Sequence, residues 1–148
     1  MRILCCGNRD RGDDAAGILI AEHLRQHGIS AEVLEGDPLA MIESWEATDD
    51  VILVDAMLTG APLGSVQVWE IPSDSKFSGG GCSTHGFGVA EAIYLAEIMG
   101  RLPRRLRVYG IEGKEFRPGE EVSEKVRRAC ENVAEQILLE LAPAETNR

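Results

Sequence analysis

No apolar run in the 148 residues reaches the roughly 20 residues that a membrane helix needs. Membrane insertion is therefore not expected. Met1 to Cys6 lacks the charged start, apolar stretch and small-residue cleavage site of a secretory signal. A cytoplasmic location is expected from that. Cations are scarce too: 15 Lys and Arg stand against 25 Asp and Glu, for a formal net charge of −10. Nucleic acid binding needs clustered Lys and Arg to displace phosphate counterions, so that class is excluded. Anionic membrane surfaces need polybasic segments and are excluded with it. A metal ion, a cationic partner or a neutral polypeptide fits the balance.

Several signatures of chemistry are also missing. The 4 cysteines form no Cys-x-x-Cys pair, so neither a zinc knuckle nor a dithiol redox site is signalled. Cys5 and Cys6 are adjacent and would point to opposite faces of a strand. Cys82 and Cys130 stand far from them, and buried free thiols are the expectation. There is no G-x-S-x-G elbow and no H-E-x-x-H helix. Cys82 lies just before His85, but cysteine proteases draw their thiol and imidazole from distant segments. The dinucleotide pattern G-x-G-x-x-G is absent as well, although Glu35 or Asp37 could mimic its ribose-binding acid.

What is present is globular: 44% hydrophobic and 27% charged residues. One domain over residues 1–148 is expected, with 141–148 a frayed tail. Arg2 to Cys6 is a short apolar strand. Asp13 opens a helical pattern to about His27, with Ile18, Leu19 and Leu24 apolar and Gly28 as its stop. Ala31 to Leu34 is a second strand. Asp37 and Pro38 start a short helix carrying Leu39, Ile42 and Trp45. Val51 to Val54 is the unbroken apolar run of a strand buried on both faces. Ser65 to Ile71 alternates as a half-exposed strand, with Val66, Val68 and Ile71 apolar. Pro72 to Ser83 is rich in Gly and Ser and reads as a loop. Gly86 to Met99 is helical, Leu106 to Ile111 a strand, and Val122 to Leu141 a long amphipathic helix. This alternation predicts an α/β fold, a mostly parallel twisted sheet with helices on both faces. Ligands in such sheets sit beyond the carboxyl ends of the strands.

Three segments place chemistry there. The first is GNRDRGDD, Gly7 to Asp14. Gly7 and Gly12 have phosphate-loop spacing, but Asp13 and Asp14 stand where Lys and Ser or Thr should follow. A phosphate would meet two carboxylates, so a nucleoside triphosphate is rejected. One acid there could cap the helix; a second is in surplus. The next segment is Asp55, at the end of the buried run, where an ionised carboxylate is costly unless paired or bound to a cation. The last is STHG, Ser83 to Gly86, with His85 just before a helix. His23 and His27 also have ligand spacing, but they lie at the far end of their helix and read as surface residues. Two carboxylates and an imidazole at strand ends suit a divalent metal such as nickel, zinc, manganese or iron.

Together these segments resemble the hydrogenase maturation protease family. The family's G-N-x-x-x-x-D-[DE] turn is matched by Gly7, Asn8, Asp13 and Asp14. Its aspartate after a buried strand is matched by Asp55 and Ala56, and its histidine segment by THGFG, Thr84 to Gly88. Gly100 to Phe116 and Pro118 to Val126 resemble its late strand and last helix entry. The resemblance implies a three-layer fold of the phosphorylase/hydrolase-like kind. It implies an endopeptidase that trims the C-terminal extension from a [NiFe] hydrogenase large-subunit precursor. Nickel would arrive in that substrate and be recognised by Asp14, Asp55 and His85, with Asp13 as the capping acid; other divalent metals could stand in for it in vitro. Either Asp14 or Asp55 could serve as general base. The other reading of the same residues is a non-catalytic nickel-binding chaperone. Ala15 departs from the family's usual Gly, and Glu35 to Pro38 from its usual G-G-T, a region that could help choose the partner hydrogenase.

Overall fold

The computed structural model describes residues 1–7, 12–35, 38–47, 49–71, 88–114, 119 and 121–142. In chain order the elements are β1 (Arg2–Cys6), a 3-10 turn (Gly12–Ala15), α1 (Ala16–Gln26), β2 (Glu32–Leu34), α2 (Pro38–Glu43), β3 (Asp50–Met57), β4 (Val66–Ile71), α3 (Gly88–Met99), β5 (Arg105–Glu112) and α4 (Glu124–Leu141). They build a five-stranded sheet in the order β2-β1-β3-β5-β4. The first four in that order run parallel, and β4 closes the β5 edge antiparallel. The expected α/β architecture is the observed one.

The core divides into two layers because strand side chains alternate between faces. Ile3, Cys5, Ile52, Val54 and Ile111 face α1 and α4, where Ile20, Leu24, Val133 and Ile137 cover them. Leu4, Cys6, Leu53, Met57 and Val108 face α2 and α3, meeting Met41, Ile42, Val89 and Ile93. Each of the Val, Leu, Ile and Met side chains among these contributes about 1.5–3 kcal/mol on burial. Cys5, Cys6 and Cys130 are buried free thiols, as expected. Among the described residues no helix is long and apolar enough to cross a membrane.

Several expectations change in detail. β3 does not end before Asp55 but continues to Met57, because Ala56 and Met57 keep pairing with Ile111 and Glu112 of β5. α1 begins at Ala16, since Asp13 and Asp14 lie in the 3-10 turn. On α2 the buried residues are Met41 and Ile42, while Leu39 is exposed. Trp45 lies just beyond that helix, buried, with its indole N–H donating to the Arg101 carbonyl at 2.7 Å. On β4, Val68 is exposed and Trp69 packs against the α3 side of the core instead. Gly28 stops α1 as expected, with φ +81° and its N–H on the Arg25 carbonyl. The loop expected over 72–83 and the tail beyond residue 142 lie outside the described residues.

Candidate active site

At the carboxyl end of β1 the chain turns back on itself under tight steric limits. A Cβ on Gly17 would stand 2.1 Å from the Cys6 carbonyl oxygen, so the first turn of α1 lies directly against the strand end. At Gly7 a Cβ would stand 2.6 Å from the Asp14 carbonyl oxygen. Gly12 adopts φ +55°, which glycine reaches without the Cβ penalty. Glycine at these positions is what lets the 3-10 turn carry its two acids over the end of the sheet.

Those acids do different work. Asp13 is fully buried. Its Oδ1 accepts the Ser123 N–H at 2.7 Å and the Ser123 hydroxyl at 3.0 Å, and its Oδ2 accepts the Lys114 N–H at 2.8 Å. The residue expected to cap α1 thus ties down the start of α4, where Ser123 is the N-cap. The N-cap of α1 itself is Ala15. Asp14 is only partly buried and faces Asp55 electrostatically.

Asp55 sits in β3 on the side of Leu53 and Met57, the side covered by α2 and α3. It is 7% exposed, and its Oδ1 accepts the adjacent Ala56 N–H at 2.8 Å. Burial pushes its carboxyl well above the usual carboxylate range, and the negative charge of Asp14 pushes it further; the Ala56 N–H opposes both. Cys6 shares that side, since Cys5 pairs with Val54 in register. Its thiol is raised by burial first, then by the charges of Asp55, Cys5 and Asp14. Sequence reasoning treated Cys6 only as core; the adjacency of β1 and β3 makes it a neighbour of both acids.

A further acid escaped the sequence reading. Glu112 ends β5, is 2% exposed, and lies on the same side of the sheet as Asp55. Its carboxylate accepts the Thr59 N–H at 2.9 Å, the Thr59 hydroxyl at 2.6 Å and the Gly60 N–H at 3.1 Å. It therefore braces the chain leaving β3, just past Asp55.

The 3-10 turn that carries Asp14 packs against β3, and the charge of Asp14 acts on the Asp55 carboxyl. His85 lies outside the described residues. So does Cys82. His23 and His27 stack at 5.0 Å near the end of α1, away from the acids, and His23 Nε2 lies 3.3 Å from Glu135. Among the described residues no group of three metal-binding side chains is gathered. Asp14 and Asp55 supply oxygen donors only, so a complete divalent-metal site needs at least one more ligand.

Comparison with known proteins places the chain in a family. A family model described as hydrogenase maturation protease matches residues 18–140, a span that begins after Asp14 and includes Asp55 and His85. The chain is 33% identical over 129 residues to protein FrxA of Pyrococcus furiosus, covering 86% of this chain and 94% of the relative. The fold resembles that of the hydrogenase maturating endopeptidase HybD from E. coli, with a TM-score of 0.71, 24% identity, and coverage of 95% of this chain and 92% of that one. It also resembles the [NiFe] hydrogenase maturation protease HycI from Thermococcus kodakarensis, with a TM-score of 0.62, 28% identity, and coverage of 92% and 89%. The chain belongs to the hydrogenase maturation protease family, and its activity is that of a hydrogenase maturation endopeptidase.

Proposed function

We propose that this endopeptidase removes the C-terminal extension of a [NiFe] hydrogenase large-subunit precursor that has already received nickel. Asp14, Asp55 and His85 recognise that nickel, which belongs to the substrate and is not held at rest. The observation that best supports this reading is the burial of Asp55 on β3, against which the turn carrying Asp14 packs. Holding a buried carboxylate beside a second one is unfavourable unless a cation joins them. A nickel-bearing substrate brings a cation to these carboxylate oxygens. His85 precedes the first residue of α3 closely in sequence, and α3 packs on the sheet side where Asp55 lies. Oxygen and nitrogen donors suit divalent nickel. Close to the scissile peptide, the carboxylate of Asp14 or Asp55 can accept a proton from an attacking water. The reaction takes place in the cytoplasm of a prokaryotic cell; prokaryotic sources of the relatives support the latter half of that statement.

Asp14→Ala tests this most simply. Loss of a metal-binding carboxylate is expected to lower processing of nickel-loaded precursor at least about 100-fold, with far-ultraviolet circular dichroism unchanged. Processing at the wild-type rate would remove Asp14 from the site.

A further inference from the structure

We infer that the outer edge of β4 is a docking strand for extended polypeptide, and that the C-terminal extension of the substrate pairs with it as an added strand. The inference rests on the processing function proposed above for the choice of peptide, but its geometry stands apart from the metal-recognition residues.

Register fixes which groups face outward. Glu112 donates its N–H to the Ser65 carbonyl at 2.8 Å, which makes that pair a hydrogen-bonded one. Hydrogen-bonded and non-hydrogen-bonded pairs alternate in an antiparallel ladder. Gln67 opposite Gly110, and Trp69 opposite Val108, therefore bond inward to β5. Val66, Val68 and Glu70 turn their N–H and C=O groups the other way. Among the described residues no strand pairs with that side of β4, which ends the sheet. A row of alternate main-chain donors and acceptors is complementary to one kind of partner, another extended main chain.

Among the described residues the edge also carries none of the usual protection against such pairing. Val66 to Ile71 contains no Lys, no Pro and no bulge, and Val68 is 47% exposed. Its one charged side chain, Glu70, is engaged by Arg107 of β5. Position suits the reaction as well. Asp55 pairs with Gly110, and Gly110 pairs with Gln67, so β4 lies level with Asp55 across the sheet. A strand added outside β4 would run about three strand spacings, roughly 14 Å, from Asp55. At about 3.3 Å per residue, some four residues of extended chain bridge that gap. An endopeptidase that must hold a tail while cutting near its root can use such an edge for the distal part.

The test pairs a variant with an exchange measurement. Val68→Pro deletes one outward N–H and leaves the ladder to β5 intact, whereas Val68→Ala keeps the N–H. For nickel-loaded precursor, Val68→Pro should raise KM roughly three- to tenfold with kcat unchanged, and Val68→Ala should process as wild type. In the wild-type protein, the Val66, Val68 and Glu70 amides should gain hydrogen-exchange protection when nickel-loaded precursor binds. That second measurement decides the matter if Val68→Pro does not fold. Cleavage by wild type without amide protection, and with KM unchanged in a folded Val68→Pro, overturns the edge proposal alone. Protection without cleavage would overturn the processing function and leave the edge proposal standing.

Discussion

Asp13 Oδ1 accepts the Ser123 N–H at 2.7 Å, so the acid beside the candidate site residue Asp14 is an anchor for α4, on the opposite side of the sheet from α3. The two neighbouring acids should therefore fail in different ways. Asp13→Ala strands the Ser123 N–H and hydroxyl and the Lys114 N–H, at a cost of about 3 kcal/mol or more in unfolding free energy. Asp14→Ala should lower the urea midpoint less than Asp13→Ala does and should abolish processing. Equal destabilisation by the two, measured by urea unfolding, would contradict this division.

Asp55 should cost the fold stability at neutral pH. Its carboxyl is raised above its ordinary value of 3.8, by burial first and by Asp14 second. Between that ordinary value and the raised folded one, the folded protein keeps a proton that the unfolded chain has released. Stability then falls as pH rises through this window, and the full penalty is present above it. Asp55→Asn keeps an oxygen for the Ala56 N–H and removes the penalty. Its Tm at pH 7 should rise by roughly 2–4 °C, as for a gain of about 1 kcal/mol, and its stability should lose that pH dependence. Calorimetry across pH 4 to about 8 checks both. Processing activity should be lost in the same variant.

Gly17→Ala should be among the most damaging small substitutions. Its Cβ would meet the Cys6 carbonyl oxygen at 2.1 Å, and the obstacle is backbone rather than a flexible side chain. Lifting α1 off β1 should cost about 2–3 kcal/mol, as overpacking does. It should also move Asp14 away from Asp55, so activity should fall more steeply than stability predicts. A variant with wild-type Tm and full activity would mean that α1 does not position the site.

His85→Ala should abolish processing and leave the thermal unfolding curve where it is, because in the proposed function the imidazole acts on the substrate's nickel. A normal rate of precursor cleavage by the variant would exclude His85 from the site.

Much of this was legible in the residues. The apolar run Val51 to Val54 marked a doubly buried strand, and β3 is the central one. Gly28 and Ser123 marked a helix stop and start where the structure has them. The strand-end rule pointed to Asp14 and Asp55, and the 3-10 turn that carries Asp14 packs against β3, which carries Asp55. What escaped depended on partners distant in sequence. β3 runs past Asp55 because β5 offers it Ile111 and Glu112, which no local pattern reveals. Asp13 finds its partner 110 residues away. Glu112 was within reach: it ends an apolar strand as Asp55 nearly does, and the same rule applied to β5 would have singled it out. Val68 looked like core by alternation and is exposed, because the edge strand lies beyond the cover that α4 gives to β5.

The central claim is that nickel in the substrate is the signal for cleavage. Its most direct test is mass spectrometry of a large-subunit precursor incubated with this protein, with and without inserted nickel. Loss of one C-terminal peptide from the nickel-loaded sample alone is the predicted result. Equal cleavage of both samples would contradict recognition through nickel and leave Asp14, Asp55 and His85 without their proposed role.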